Sequence, residues 1–283
     1  MDGQPLTWLV YNGASGSHDD EAIKQLAEGL TAAGFPPAKM IDCKDGAPDA
    51  NEATDAGLAL LAIHGGDGTL SRTLAGLEGF GGRVLPLPGG TYNLLARVMF
   101  GERSPLEIVD LLGQNKLLPG RRPCIRGEGV IALAELLAGP GAKWADVREE
   151  MREANIGEVI AKGWDAAATS TVGPMVALSQ PAGGREDGYA GVRLVPHEGG
   201  IFIEGYGAEG LGDYVQQGLA ILKRDFREGP HDELGSATQV AMRSLEDEPI
   251  ALMVDGERSE GGGTLAFSLD MLDVNLLGIA DGR

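Results

Sequence analysis

The first third of the chain alternates short apolar runs with stretches whose apolar residues recur every three or four positions. The runs LTWLVYN (6–12), AKMID, LALLAI (58–63) and RVLPL (83–87) have the length and composition of buried strands. Helical patterns separate or follow them, with apolar faces formed by Ile23, Leu26, Ala27 and Leu30, then by Leu70, Leu74 and Leu77, and then by LLARVMF. Alternating strands and helices predict a parallel sheet with helical crossovers.

The pattern changes after GQNKLLPGRRP (113–123), a polar stretch with Pro and Gly that predicts a hinge. Short β-like runs separated by turns then predominate, which predicts a mainly antiparallel sandwich. The runs are VIALAELLAG, TVGPMVALS, YAGVRLVP, GIFIEGY, SATQVAMRSL, PIALMV, TLAFSLDML and VNLLGIA. Helical patterns interrupt them at 142–154 and 211–222. We therefore predict an α/β domain over residues 1–118 and a β-rich domain over residues 119–283.

Composition and charge narrow the classes of function. The 283 residues carry a formal net charge of −19, which argues against nucleic-acid binding because neutralisation of phosphates by Lys and Arg dominates that affinity. Met1 to Thr7 lacks the pattern of a signal peptide, and the longest uncharged stretch (166–184) contains prolines and hydroxyl residues unsuited to a membrane span. Cys43 and Cys124 lack metal-ligand spacing and are interpreted as packing residues. These features predict a cytoplasmic protein.

Three loops at the predicted carboxyl ends of strands carry the candidate chemistry, since ligands of open parallel sheets bind there. The first loop, YNGASGS, offers Asn12, Ser15 and Gly16 at the start of a helix, an arrangement that suits an anion. An ordinary Gly/Ser turn is the alternative interpretation.

The second loop is GGDGT, with Gly65, Gly66, Asp67, Gly68 and Thr69. Glycines allow close approach of the backbone to a phosphate, and Thr69 can cap the following helix. Asp67 among them can orient a magnesium ion or accept a proton from a hydroxyl. The alternative is an Asx turn with no ligand.

The third loop is PGGTYNLLAR (88–97), in which Gly90, Thr91, Asn93 and Arg97 could contact a nucleotide. Thr91 and Asn93 can donate hydrogen bonds, and Arg97 lies one turn into the predicted helix, within reach of a phosphate. Alternatively Thr91 is a helix cap and Arg97 a solvated charge.

Taken together, NxxSG at 12–16, GGDGT at 65–69, PGGTYNLLAR and the DGE of MVDGE at 253–257 resemble the motifs of the diacylglycerol kinase catalytic family, which includes sphingosine and ceramide kinases. The resemblance implies a nucleotide-binding α/β domain related to NAD kinase and phosphofructokinase, followed by a lipid-binding β-sandwich. It also implies an ATP-dependent, magnesium-requiring lipid kinase that phosphorylates a primary hydroxyl of diacylglycerol, ceramide or a sphingoid base. Contact with the membrane surface would be transient, and the oligomeric state stays open.

The same resemblance implies roles for three acids. Asp67 is the acid of the nucleotide site and a magnesium ligand, while Asp255 and Glu257 are its partners in the second domain, with Glu257 preferred as the base. DGE is also an ordinary hairpin sequence, because Asp-Gly suits a type I′ turn between PIALMV and TLAFSL.

Two loops depart from the family's pattern. Tyr92 and Leu94 replace the second Gly and the Asp of the family's GTGND, and Gly191 ends EDGYAG where relatives have a magnesium-binding acid. The departures leave a catalytically weak nucleotide sensor or lipid-binding protein as the alternative function. NAD kinase is less favoured, because its GSTAY-type stretch is missing from the sequence.

Overall fold

The computed structural model of the protein describes residues 4–13, 20–143, 174–207 and 231–279. These residues divide into two compact units, Met1–Pro123 with Met271–Arg283, and Cys124–Asp270. The predicted helix at 211–222 lies outside the described residues, and so does nearly all of the one at 142–154. Among the helices that are described, none is both long and apolar enough to cross a membrane.

The first unit is a six-stranded sheet with helices, and its order is β2-β1-β3-β4-β17-β5 when strands are numbered along the chain. All neighbours pair in parallel except β5, which runs antiparallel to β17. The strands are β1 (Thr7–Tyr11), β2 (Pro37–Asp42), β3 (Leu60–Gly65), β4 (Arg83–Pro88), β5 (Leu117–Gly120) and β17 (Asn275–Ile279). The helices are α1 (Asp20–Ala32), α2 (Ala50–Asp55), α3 (Asp67–Gly76), α4 (Leu94–Phe100) and α5 (Pro105–Gly113), with a 3-10 turn at Cys43–Asp45. The parallel α/β prediction is confirmed.

The core of this unit follows the predicted apolar positions. Leu70 and Leu74 on α3 and Leu77 directly after it are fully buried, as one face of a helix packed on a sheet requires. On β3, four consecutive residues, Leu60 to Ile63, are fully buried, which is typical of a parallel strand covered on both faces.

Helices α2 and α5 are additions to the sequence-based prediction. Ser104 and Glu107 form a reciprocal capping box at the start of α5, followed by Pro105 at the first helical position. This combination is a recognised start signal in sequence, so α5 was accessible to prediction from the chain alone.

The last strand, β17, comes from the far end of the chain. Its Leu276 and Leu277 are buried between β4 and β5, and β5 itself lies within the stretch predicted as a hinge. The first unit therefore differs in extent from the predicted residues 1–118, because the place between β4 and β5 is filled by residues about 190 positions downstream of β4.

The second unit consists of two mainly antiparallel sheets. One has the order β12-β11-β10-β8-β14-β15 and the other β7-β6-β16-β13-β9. The strands are β6 (Pro123–Gly127), β7 (Val130–Ala132), β8 (Leu136–Ala138), β9 (Val176–Gln180), β10 (Gly191–His197), β11 (Gly200–Tyr206), β12 (Asp232–Ala237), β13 (Gln239–Ser244), β14 (Ile250–Val254), β15 (Glu257–Gly261) and β16 (Thr264–Met271), with a 3-10 turn at Pro140–Lys143. Apolar residues of both sheets, such as Ile203 and Phe267, share one core, so the predicted β-sandwich is confirmed.

Candidate functional site

The GGDGT and PGGT loops lie side by side because they follow neighbouring strands. Gly65 at the end of β3 pairs with Pro88 at the end of β4, and the N–H of Gly89 donates to the carbonyl of Gly65 at 2.9 Å. A Cβ on Gly90 would lie 2.5 Å from the Cα of Gly66, closer than any side chain permits. These glycines are required by the contact between the two loops, whatever they bind.

Asp67 is the first residue of α3, and its side chain is buried. The residue is 8% exposed, and its Oδ1 accepts a hydrogen bond from the N–H of Leu95 at 3.2 Å. Because Leu95 lies in the first turn of α4, the carboxylate also caps that helix, where a negative charge is favourable. Asp67 thus ties the two loops together, a structural role that the sequence motif does not reveal.

Asn93 holds the third loop in its shape. It adopts a left-handed backbone with φ of 53°, and its Oδ1 accepts from the N–H groups of Gly89 at 3.2 Å and Gly90 at 2.8 Å. Its Nδ2 donates back to the carbonyl of Gly90 at 2.8 Å. The predicted nucleotide contact of Asn93 therefore competes with hydrogen bonds that the loop already uses.

Two other predicted ligands of the third loop are exposed to solvent. Thr91 lies at the tip of the loop, and Arg97 on α4 forms a salt bridge with Glu102 at 3.3 Å, between side chains that are both largely exposed. Such pairs add little to stability, so Arg97 can change partner at low cost.

The loop after β1 lies next to the GGDGT helix. Asn12 donates from Nδ2 to the Oγ1 of Thr69 at 3.1 Å, and Gly68 and Thr69 are buried in the first turn of α3. Ser15 and Gly16 lie outside the described residues. The structure thus brings Asn12, Gly65, Gly66, Asp67, Gly68, Thr69 and Gly90 to one edge of the sheet.

Asp42 at the end of β2 is a residue of this edge that sequence reasoning missed. Its Oδ1 accepts from the N–H of Gly13 at 3.2 Å, and its Oδ2 lies 2.8 Å from the Nζ of Lys44. The hydrogen bond from the Lys44 side chain, helped by the backbone N–H groups of Lys44 and Gly13, lowers the pKa of Asp42. The sequence did contain a signal for this residue. An acid ends the predicted strand AKMID, and the carboxyl end of that strand borders the loop after β1.

In the second unit, the DGE motif forms a two-residue hairpin turn. Asp255 and Gly256 have φ of 48° and 84°, which fits a type I′ turn, and Val254 pairs with Glu257 across it. The hairpin interpretation is confirmed, but its predicted partner strand is wrong: β14 pairs with β15, whose sequence is ERSEG, and TLAFSL begins β16 in the other sheet. The partner is polar because β15 is the outermost of the described strands in its sheet, and its charged side chains are exposed to solvent.

The two acids of this turn have different environments. Asp255 is 1% exposed and accepts hydrogen bonds from the N–H groups of Leu133 (2.8 Å), Ala134 (2.8 Å) and Glu135 (3.0 Å). Glu257 is exposed at the start of β15. Of the pair, Glu257 is the one placed to exchange a proton with a ligand, while Asp255 fastens the turn to residues 133–135.

A partly buried charged group that contacts Glu135, next to this turn, was also missed from the sequence. Arg193 on β10 lies between two carboxylates, donating from Nε to Glu135 at 2.9 Å and from Nη1 to Glu204 at 2.8 Å. The hydroxyl of Tyr206 donates to the same oxygen of Glu204 at 2.9 Å. We call these four residues the Arg193 network. They are scattered along the chain, so no local motif signals them.

Burial and charge shape the pKa values within the Arg193 network. Burial by itself would raise the pKa of Glu204, but the hydrogen bond and positive charge of Arg193 outweigh it and lower that pKa. Burial and the adjacent charge of Glu204 raise the pKa of the Tyr206 phenol. The network therefore holds a charged Glu204 and a neutral Tyr206 over the physiological range.

The EDGYAG turn is fastened by protein groups. Tyr189 is buried, its hydroxyl donates to Oδ2 of Asp232 at 3.1 Å, and Arg185 pairs with the same oxygen at 2.9 Å. Gly191 begins β10. Across the described ranges, no three His, Cys, Asp or Glu side chains are grouped as a metal site.

Comparison with known proteins finds one domain family and several similar folds. Residues 7–120 match the model of the diacylglycerol kinase catalytic domain. A diacylglycerol kinase from Bacillus anthracis str. Sterne has a similar structure, with a TM-score of 0.64 and 14% identity over 98% of both chains. A second, provisionally assigned diacylglycerol kinase from the same organism gives a TM-score of 0.65 and 17% identity over 98% of both chains. No curated protein is a significant sequence match.

At such identities the structural likeness concerns the fold, whereas the domain match concerns the sequence. Residues 7–120 match the model of this domain family, which confirms the resemblance based on the loop motifs. The matched segment contains the GGDGT and PGGT loops. The candidate phosphate-binding loops thus lie inside the segment that matches the kinase domain model.

Proposed function

We propose that the protein is an ATP-dependent lipid kinase that transfers the γ-phosphate to a primary hydroxyl of a lipid. The observation that supports this most is the joined pair of glycine loops at the ends of β3 and β4, with the buried Asp67 between them, inside the matched domain. Loops of this kind expose backbone N–H groups beside a helix start, where phosphates bind.

The nucleotide would be held mainly by backbone and by few side chains. The candidates are Asn12, Ser15, Gly16, Gly65, Gly66, Gly68, Thr69, Gly90, Thr91, Asn93 and Arg97. Phosphoryl transfer depends largely on positioning and on stabilising charge, so a rigid glycine cradle is suited to it.

A magnesium ion would bind at this edge of the first sheet, where Asp67 lies beside the two glycine loops. Asp67 would be its protein ligand, since Mg²⁺ in kinases is commonly held by one or two carboxylates together with substrate phosphates. The bound ion would neutralise charge on the transferring phosphate. Asp67 keeps its place through the N–H of Leu95, so the carboxylate is fixed before any ligand arrives.

Glu257 would accept the proton of the lipid hydroxyl, with Asp255 in support. Glu257 is exposed and close in sequence to a rigid turn, whereas the carboxylate of Asp255 is occupied by three backbone N–H groups. The negative net charge favours a neutral lipid such as diacylglycerol or ceramide over an anionic one. The enzyme would act in the cytoplasm, in transient contact with the inner membrane surface.

The test is phosphate transfer from ATP to a panel of lipid alcohols by wild type, Asp67→Asn and Glu257→Gln. We expect each substitution to lower kcat by at least ~100-fold, the usual scale for losing a group that stabilises charge or moves a proton in the transition state. Glu260→Gln, another exposed acid of β15, is the matched control and should retain activity. Unimpaired turnover by both variants would refute the assignment.

Calorimetry with ATP and magnesium separates this proposal from its alternative. Binding of ATP without turnover on any lipid would favour a nucleotide sensor. Two features favour this alternative. Leu94 stands where relatives have an acid, and the side chain of Asn93 is already hydrogen-bonded to the backbone of Gly90.

A further inference from the structure

The DGE turn is joined to the Arg193 network through a single residue, Glu135. The backbone of Glu135 holds Asp255 from both sides, because its N–H donates to Oδ1 of Asp255 at 3.0 Å and its carbonyl accepts the N–H of Asp255 at 2.9 Å. The side chain of the same residue accepts from Nε of Arg193 at 2.9 Å. Glu135 therefore takes part in the turn and in the network at once.

Arg193 gives this junction a fixed orientation. It pairs directly across the strands with Glu204, and its guanidinium bonds that residue and Glu135 through different nitrogens. The side chains of Arg193 and Glu135 are 17% and 5% exposed, so solvent screens the contact weakly. A planar guanidinium held by two carboxylates has little freedom to rotate, and Tyr206 further restrains Glu204.

The position of residues 133–135 in turn sets the position of the hairpin. All three of their N–H groups bond to the carboxylate of Asp255, which lies in the turn directly before β15. Among the described strands, β15 pairs with β14 alone, so β14 and this turn supply the strand contacts beside Glu257 that the structure shows.

We infer that Glu135 and Arg193 are positioning residues that hold the DGE turn and, through it, Glu257 in the orientation needed for proton transfer. The inference rests on the proposed function, in which Glu257 is the base. Neither residue contacts the reacting groups in this scheme. Each acts through Asp255.

The experiment uses the full chain with Glu135→Gln and Arg193→Lys. Glu135→Gln keeps the backbone bonds to Asp255 but removes the charge that faces Arg193, and lysine at 193 keeps the charge but cannot donate to two carboxylates in the same geometry. We expect kcat for the lipid to fall about 10- to 100-fold, as small displacements of a catalytic group do, with the KM for ATP unchanged within about twofold. Amide hydrogen exchange should accelerate at Leu133, Ala134 and Glu135.

Arg185→Lys is the matched control, since Arg185 also pairs with a carboxylate that accepts a tyrosine hydroxyl. That pair fastens the turn at 185–188 to Asp232 at the start of β12, whereas Arg193 pairs with Glu135, whose backbone bonds to the DGE turn. The control should therefore retain kcat and the exchange rates at residues 133–135.

The outcomes separate this inference from the proposed function. A kcat within twofold of wild type in both variants, or an equal loss in Arg185→Lys, would overturn the positioning role while leaving the kinase assignment intact. If the wild type shows no turnover, the proposed function fails, and the exchange measurement decides alone. Faster exchange confined to residues 133–135 then supports the mechanical link, and unchanged exchange rejects it.

Discussion

Sequence motifs pointed to Asp67 in the α/β unit and to Asp255 in the β-sandwich, and both residues are buried. Their carboxylates, however, have different hydrogen-bond partners. Asp67 caps α4 at the meeting point of two glycine loops, at an edge where ligands of parallel sheets bind. Asp255 accepts three backbone N–H groups inside a hairpin. The difference teaches that a motif acid can be retained for its ligand or for the backbone it holds, and only its hydrogen bonds separate the two cases.

The largest effect on stability is expected at Asp255. Asp255→Ala leaves three backbone donors without their acceptor, at about 1–3 kcal/mol for each buried unpaired group, so the free energy of unfolding should fall by at least ~3 kcal/mol. Asp255→Asn, which keeps an acceptor, should lose less. Urea denaturation measures both.

Asp247→Ala is the control for the backbone of Asp255→Ala, because exposed Asp247 has a similar φ of 56°. An equal loss there would show that the left-handed backbone, and not the hydrogen bonds, is responsible.

The glycine loops supply the next test. In Gly90→Ala the new methyl group would meet the Cα of Gly66, so we expect unfolding to become easier by about 1–3 kcal/mol and ATP binding to weaken. Gly81→Ala, where no atom lies within 4 Å of the new Cβ, should be tolerated. Thermal unfolding and calorimetry check this. Normal ATP affinity in a folded Gly90→Ala protein would separate the loop contact from nucleotide binding.

A smaller effect is expected from the pH dependence of stability at Glu204 in the sandwich. The pKa of Glu204 is lowered in the folded protein, so the stability it contributes is present above its unfolded pKa and is lost as the pH falls through the folded value. Glu204→Gln should flatten the decline in unfolding free energy below about pH 4.5, whereas exposed Glu198→Gln should not. If the unfolding free energies of wild type and Glu204→Gln declined equally at low pH, the result would contradict the lowered pKa of Glu204.

The smallest change in stability is expected at Arg97. Because its pair with Glu102 is exposed, Arg97→Ala should alter the free energy of unfolding by less than about 0.5 kcal/mol. If Arg97 binds a phosphate, the KM for ATP should nevertheless rise about tenfold, since a hydrogen bond to a charged group is lost. Glu102→Gln removes the same pair and should leave KM unchanged. An unaltered KM in Arg97→Ala would leave Arg97 as a solvated charge.

Local patterns in the sequence were enough to predict most elements and the edge where the loops meet. The apolar period of α3 and the buried run of β3 reflect local geometry, and the glycine loops follow because strand ends in a parallel sheet share one edge. The capping box of Ser104 and Glu107 marks the start of α5 in the same local way.

Tertiary structure alone decided which distant residues share an environment. The placement of β17 beside β4 and the meeting of Glu135 with Arg193 join segments far apart in the chain. The choice of ERSEG as the hairpin strand is local in the chain, but the apolar pattern alone favoured TLAFSL. A single sequence encodes periodicity within a segment, but pairing between segments depends on how their faces and hydrogen bonds fit in three dimensions. Motifs therefore located Asp67 and Asp255, and only the folded chain showed what each carboxylate holds.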